Sequence, residues 1–184
     1  MIRGIQIEYK GCFFHSLLEL KFALLIEDSC SFLREPISIF YDKETLQPVS
    51  YIDTNPNKYT PDFLVRKWKD NTAYLIEIKA DKFRDSDDLN KRKIIANNYL
   101  KSKNVDWTYK VIFDSDIKLN EEKAEKFKEL RLKAGKFKQK LDFMKKDKRY
   151  NQSDQLYFSC SPRILNRDVT KNEYVKYVKY GTID

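Results

Sequence analysis

The chain reads as an α/β protein of the α+β kind, a mixed sheet packed by helices with a basic helical extension behind it. Three observations predict this. Segments 36–41, 59–65, 73–80 and 107–113 have strand length and strand composition. Helix-forming runs at 16–28 and 85–102 interleave with them, so the core order is helix, three strands, helix, strand. Composition then changes: residues 119–150 hold 12 basic and 6 acidic side chains, +6 of the chain's net charge of +8.

Taken in order, Ser16 to Asp28 is rich in helix formers and apolar almost all round, which predicts a buried helix with Ser16 as its N-cap. Pro36 to Tyr41 alternates and ends at a polar stretch, as a strand does. Val49 to Ile52 adds a short strand, and Thr54-Asn55-Pro56-Asn57 a turn. Tyr59 to Val65 is the second core strand, with Pro61 near its start, where proline is tolerated. Lys69-Asp70-Asn71 is a hairpin turn into the third strand, Ala73 to Ala80. Asp85 to Asp88 places acidic residues at a helix start, which suits the positive end of the dipole. That helix runs to about Ser102, and Trp107 to Phe113 is the fourth strand.

The boundary near residue 118 divides a core, 1–118, from an extension, 119–184, packed on it. In the extension Ala124, Phe127, Leu130, Ala134, Phe137, Leu141 and Met144 recur every three or four residues, a long amphipathic helix with Gly135 as its weak point. Tyr157 to Cys160 reads as a short strand, and Tyr174, Tyr177 and Tyr180 lie on a terminal helix, where packing is favoured over base stacking.

With 184 residues the chain can bury a core without disulfides or metal. No apolar run approaches the roughly 18 residues of a membrane span, and the first residues carry no secretory signal. Cys12, Cys30 and Cys160 form no C-x-x-C motif, which fits reduced thiols in a cytoplasmic protein. The single histidine, His15, leaves no Cys/His zinc cage and no histidine triad, and reads as a loop residue. The excess of 36 Lys and Arg over 28 Asp and Glu favours a polyanionic partner, DNA first among them.

One constellation carries chemistry. Glu77 and Lys79 are two apart in a strand and face the same side. If that strand pairs with 59–65 as a hairpin, Asp62 lies beside them. Two strand-borne carboxylates repel unless a cation joins them, and Mg²⁺, with Mn²⁺ as substitute, suits carboxylate, water and phosphate oxygens. Lys79 would orient or deprotonate a water, or stabilise developing charge.

The pattern Pro61-Asp62, then Glu77-Ile78-Lys79, resembles the PD-(D/E)XK nuclease superfamily, whose restriction-endonuclease-like core has the same helix, three strands, helix, strand order. Ser16-Leu17-Leu18-Glu19, Phe32 to Ile39, Tyr59-Thr60-Pro61-Asp62-Phe63-Leu64-Val65 and Ile76 to Lys79 are together similar to the N-terminal endonuclease domain of the TnsA transposition proteins, over roughly residues 3–130. Phage Holliday-junction resolvases share S-x-L-E, Y-T-P-D-F and E-x-K, and Ser86-Asp87-Asp88 also resembles them. The resemblance implies that Asp62 and Glu77 are metal ligands, that Ile78 lends its carbonyl, that Lys79 is catalytic and that Glu19 completes the acidic cluster. TnsA proteins often carry glutamine where Glu77 stands. The implied partners are DNA with a transposase-type or other recombination protein, or a second copy of the chain on branched DNA.

Plainer readings stand beside these. Ser16-x-x-Glu19 is also a capping box. Glu27 and Glu35 read as surface or loop charges. Lys82 and Arg84 after the motif strand, and Lys91, Arg92 and Lys93 on the next helix, are placed to contact DNA or simply to be solvated. A nuclease-fold module that binds DNA or protein without cutting is the rival from another class. A basic RNA-associated domain rests on charge alone, with no RNP-type aromatic motif.

Overall fold

A computed structural model describes residues 7–10, 12–51, 56–146 and 169–182, without the side chains of 13 and 134–146. The fold is mixed α/β, built on a four-stranded mixed sheet. A short hairpin of β1 (Ile7–Tyr9) and β2 (Cys12–Phe14) leads into α1 (Leu17–Ile26). The sheet takes β3 (Cys30–Arg34), β6 (Phe63–Lys67), β7 (Ala73–Lys79) and β8 (Trp107–Phe113), in that spatial order. The first three are antiparallel neighbours, and β8 joins β7 in parallel. A parallel neighbour needs a crossover, and α2 (Asp87–Lys103) supplies it. Ser86 caps α2, its hydroxyl accepting from the Leu89 N–H at 3.3 Å, and Asn104 ends it with φ 51°.

Two predicted strands are corrected. Only Ile39–Tyr41 of the segment 36–41 is a strand (β4), and it pairs outside the main sheet with β5 (Asn57–Tyr59). Glu35, with φ 45°, and Pro36 turn the chain out of the sheet, whose first strand is instead β3. The segment 59–65 is likewise not one strand: β5 ends at Tyr59 and β6 starts at Phe63. Pro61 has no N–H to give a ladder, so the Thr60-Pro61-Asp62 bend falls there. Around 49–52 there is only an isolated bridge between Tyr41 and Pro48, and residue 52 lies outside the described residues. The expected strand at 157–160 also lies outside them.

The β6–β7 turn forms where expected. Asp70 accepts from the Thr72 N–H at 3.0 Å and from its hydroxyl at 2.6 Å, and Asn71 takes φ 58°. Phe63 is fully buried at the start of β6, its ring 5.3 Å from Phe22 and 5.6 Å from Phe32. This packing fixes the backbone on which Asp62 stands.

The helix α3 (Glu121–Lys146) runs through Gly135, and its Phe127 and Leu130 pack on the core. Glu27 is not the surface charge expected. It is buried, accepts from Tyr9 Oη at 2.8 Å and Lys10 Nζ at 2.6 Å, and faces Lys126, so it ties β1 and α3 to α1. No helix among the described residues is long and apolar enough to cross a membrane.

The last helix, α4 (Lys171–Tyr180), is held by a capping box between Thr170 and Glu173. Its Tyr174 covers the edge of the sheet. The buried Tyr174 hydroxyl accepts from the Phe32 N–H and donates to the Phe32 carbonyl, both at 2.9 Å, closing a pair of edge-strand groups that would otherwise be open. Tyr174→Phe leaves both groups unpaired in the interior and is expected to cost about 2 kcal/mol, read as a lower urea midpoint with an unchanged slope.

Candidate active site

The site lies at the C-terminal end of β7. Asp62, one residue before β6, reaches across to β7, and its Oδ2 accepts from the Ile78 N–H at 2.7 Å. Ile78 separates Glu77 from Lys79, whose side chains project to the same face and meet, Nζ to Oε1, at 2.8 Å. The hairpin pairing therefore brings Asp62, Glu77 and Lys79 together as expected.

Glu77 is 1% exposed, and a carboxylate so buried must be paired or hydrogen-bonded. Its Oε1 also accepts from Arg92 Nη1 at 2.8 Å, and its Oε2 from the Tyr59 hydroxyl at 2.7 Å. Arg92 is held from the other side by Asp88, Nε to Oδ2 at 2.8 Å, one helical turn away. Tyr59 lies 3.2 Å from the Tyr109 hydroxyl on β8. Because the single Tyr59 proton goes to Glu77, Tyr109 is the donor in that contact. Burial and the Glu77 charge push the Tyr59 hydroxyl well above the ordinary tyrosine range, and burial does the same to Tyr109. Both stay neutral donors.

Asp62 is the strained acid of the group. Burial, then the charge of Glu77, raise its pKa from 3.8 to about 7, with Glu19 adding to the rise. The Ile78 N–H and Lys79 pull it down, less strongly. Glu19 is thus close enough to act on Asp62 through space, but it also caps its own helix: its N–H donates to Ser16 Oγ at 3.1 Å, and its Oε1 accepts from the Ser16 hydroxyl at 2.9 Å. Arg34 Nη2 bonds its other oxygen at 2.8 Å. Ser16 thus caps α1, and the Glu19 carboxylate is held by the Ser16 hydroxyl, by the His15 N–H at 3.3 Å and by Arg34.

The predicted DNA-contact residues divide. Lys91 and Lys93 are exposed on α2, whereas Arg92 turns inward to Glu77. Lys82 lies 5.0 Å over the Phe83 ring, and Arg84 pairs with Asp81 at 2.7 Å and stacks 3.8 Å from the Phe113 ring. His15 is exposed beside Glu35 at 3.1 Å, as a loop histidine would be. Sequence reasoning missed Tyr59 and Tyr109 as site residues and the inward role of Arg92. The Asp88-Arg92 spacing of four, following the motif strand, was the available signal for the last.

Among the described residues, no three Asp, Glu, His or Cys side chains stand close enough together to hold an ion as they are. The donor chemistry nonetheless fits a hard cation: two carboxylates and a backbone carbonyl, with Asp62 crowded by negative neighbours. What occupies the Glu77 oxygens is a set of cations and a hydroxyl, the kind of partner a metal ion replaces. Compared with known families, with curated proteins and with solved structures, the chain matches none.

Proposed function

We propose that this chain is a metal-dependent endodeoxyribonuclease with Asp62, Glu77 and Lys79 at its centre and Glu19 as the outlying acid. The observation that carries this reading is Asp62, bonded to the backbone between Glu77 and Lys79 and held near pKa 7 by burial and negative neighbours. An acid in that state is short of a cation, and such perturbed groups concentrate at functional sites. The element order supports the same reading: α1, the antiparallel β3, β6 and β7, then α2 and a parallel β8 follow the order of the nuclease core that the motif resembles.

Asp62, Glu77 and the Ile78 carbonyl would hold Mg²⁺ or Mn²⁺. When bound, the ion supplies charge neutralisation at a phosphate oxygen and a more acidic water. Tyr59 keeps Glu77 oriented by donating to Oε2, and Tyr109 keeps Tyr59 in place. Lys79 holds an ammonium at Glu77 and orients the attacking water or offsets the charge that develops on phosphorus. Arg92 neutralises Glu77 in the metal-free protein. A TnsA-like enzyme would cut at the end of a mobile element with a transposase partner, and a resolvase-like one would cut branched DNA as a dimer.

The test is incubation of the protein with plasmid and with a four-way junction, in Mg²⁺, Mn²⁺ or EDTA, beside Glu77→Gln and Lys79→Met. Metal-dependent cutting lost in both variants is expected, and the preferred DNA chooses between the two relatives. The three donors on Glu77 favour a second reading, a module that binds without cutting. No cutting together with no Mn²⁺ heat in calorimetry would establish it. Arg92→Gln separates the two further. Removing a cation from a buried carboxylate should tighten Mn²⁺ binding several-fold and lower the metal-free melting temperature. In a site that never takes metal, only the stability loss would be seen.

A further inference from the structure

A groove of about 370 Å³ opens beside the site, between the small β4–β5 sheet and the first half of α2. Its cations are Lys43, Lys58, Lys91 and Arg92, against one acid, Asp88. Asp88 is already bonded to Arg92. Lys43, Lys58 and Lys91 are exposed and have no ion-pair partner among the described residues. Among the described residues, no carboxylate is paired with them where the two elements face each other. Asn57 and Thr60 add polar groups, and Tyr59 forms part of the wall.

The groove is continuous with the site through two side chains. Tyr59 and Arg92 line it and at the same time bond the two oxygens of Glu77. A ligand in the groove therefore lies against residues that touch the proposed metal ligand. The volume is in the lower part of the range of small-ligand sites, which suits a short length of one strand rather than a duplex cross-section.

Resting on the nuclease reading, we propose that this groove takes the phosphodiester backbone of the DNA strand next to the bond to be cut, its phosphates held by Lys43, Lys58 and Lys91. The β4–β5 sheet, which lies outside the main sheet, is then a strand-holding element. Arg92, at the inner end, is shared between Glu77 and the incoming phosphate.

The test is fluorescence-anisotropy binding of labelled duplex and four-way-junction DNA in EDTA over a range of salt, with cutting measured separately in Mg²⁺ and Mn²⁺. Lys43→Gln with Lys58→Gln should weaken binding about tenfold and reduce the slope of log affinity against log salt by about two, one for each lost phosphate contact. Both lysines are exposed, so folding should be unaffected, and thermal melting checks this. The control is Lys101→Gln with Lys103→Gln, the same charge change at the far end of α2, about 15 Å from Lys91. Equal loss in the control, no change in the groove variant, or wild-type protein that binds neither DNA would each overturn the proposal. Wild-type cutting with unchanged groove variants would reject the groove alone. Binding lost in the groove variant, with neither wild-type cutting nor Mn²⁺ heat in calorimetry, would retain the groove and reject the nuclease.

Discussion

Replacing Asp62 by asparagine is expected to abolish DNA cutting, by about a thousandfold or more (roughly 4 kcal/mol of barrier), while making the metal-free protein more stable at pH 8. The two halves have one cause. The asparagine oxygen can still accept the Ile78 N–H, so the β6–β7 crossing survives. What disappears is a charge that the fold does not want there. Asp62 titrates near 7 in the folded protein against 3.8 as its ordinary value, so the folded state binds a proton more tightly than the unfolded chain. Stability from this group is therefore highest below about pH 4, falls as pH rises through the window from 3.8 to about 7, and is flat above it. The full span corresponds to about 4 kcal/mol. Water and side-chain rearrangement screen part of the repulsion, so we expect a gain of about 2 kcal/mol at pH 8 and almost none at pH 4. Melting curves at both values check this, and saturating Mn²⁺ should close the gap by stabilising the wild type only. A variant that cuts like the wild type would sink the metal-site reading. A variant no more stable at pH 8 would mean that Asp62 is compensated by a group other than those around it.

That excess charge was legible in the residues, because Glu77 and Lys79 share a strand whose two-residue period sets their common face, and the hairpin turn brings Asp62, just before β6, beside them. The β8 range, the β6–β7 turn and α2 were legible for the same local reasons: composition, turn chemistry and an acidic helix start. The strand β3 was not. Cys30 to Phe32 is buried on both sides, with no alternation to read, because an edge strand that should face water is covered by Tyr174, 142 residues away in sequence from Phe32. The break at Pro61 was underread for the opposite reason, a local signal overruled by the apolar run around it. Tyr59 and Arg92 escaped because their roles come from long-range placement. The bend at Thr60-Pro61-Asp62 leaves Tyr59 in the small sheet and Asp62 at the main one, and the docking of α2 turns Arg92 inward while Lys91 and Lys93 stay exposed.

The same docking logic predicts the largest stability effect. Arg66 sits in the middle of β6 and is 0% exposed. Its neighbours across the sheet are Ser31, Ala73 and, beyond Ala73, Trp107, so two small side chains make room for the guanidinium. The guanidinium serves the C-terminal end of α4: Nε donates to the Val178 carbonyl at 3.0 Å and Nη2 to the Lys179 carbonyl at 2.9 Å, while Nη1 donates to the Asn71 carbonyl at 2.5 Å. Trp107 Nε1 adds a bond to the Lys179 carbonyl at 2.7 Å. A buried cation at the negative end of the helix satisfies carbonyls that have no partner within α4. Gly181 completes the fit, since at φ +75° a Cβ there would lie 2.6 Å from Asn71 Nδ2 and 2.8 Å from Arg66 Nη1. Arg66→Met keeps the stem but leaves the Val178 and Asn71 carbonyls unpaired, and should cost about 3 kcal/mol. Faster tryptic cleavage within α4, at Lys171 or Lys176, should accompany the lower urea midpoint. Cutting assayed well below the melting temperature should persist, because Ala73 and Glu77 are four residues apart on β7, about 13 Å along the strand. Loss of cutting in a variant that is still folded would instead join α4 to the site through the sheet, and would make the terminal helix part of the working machinery rather than its anchor.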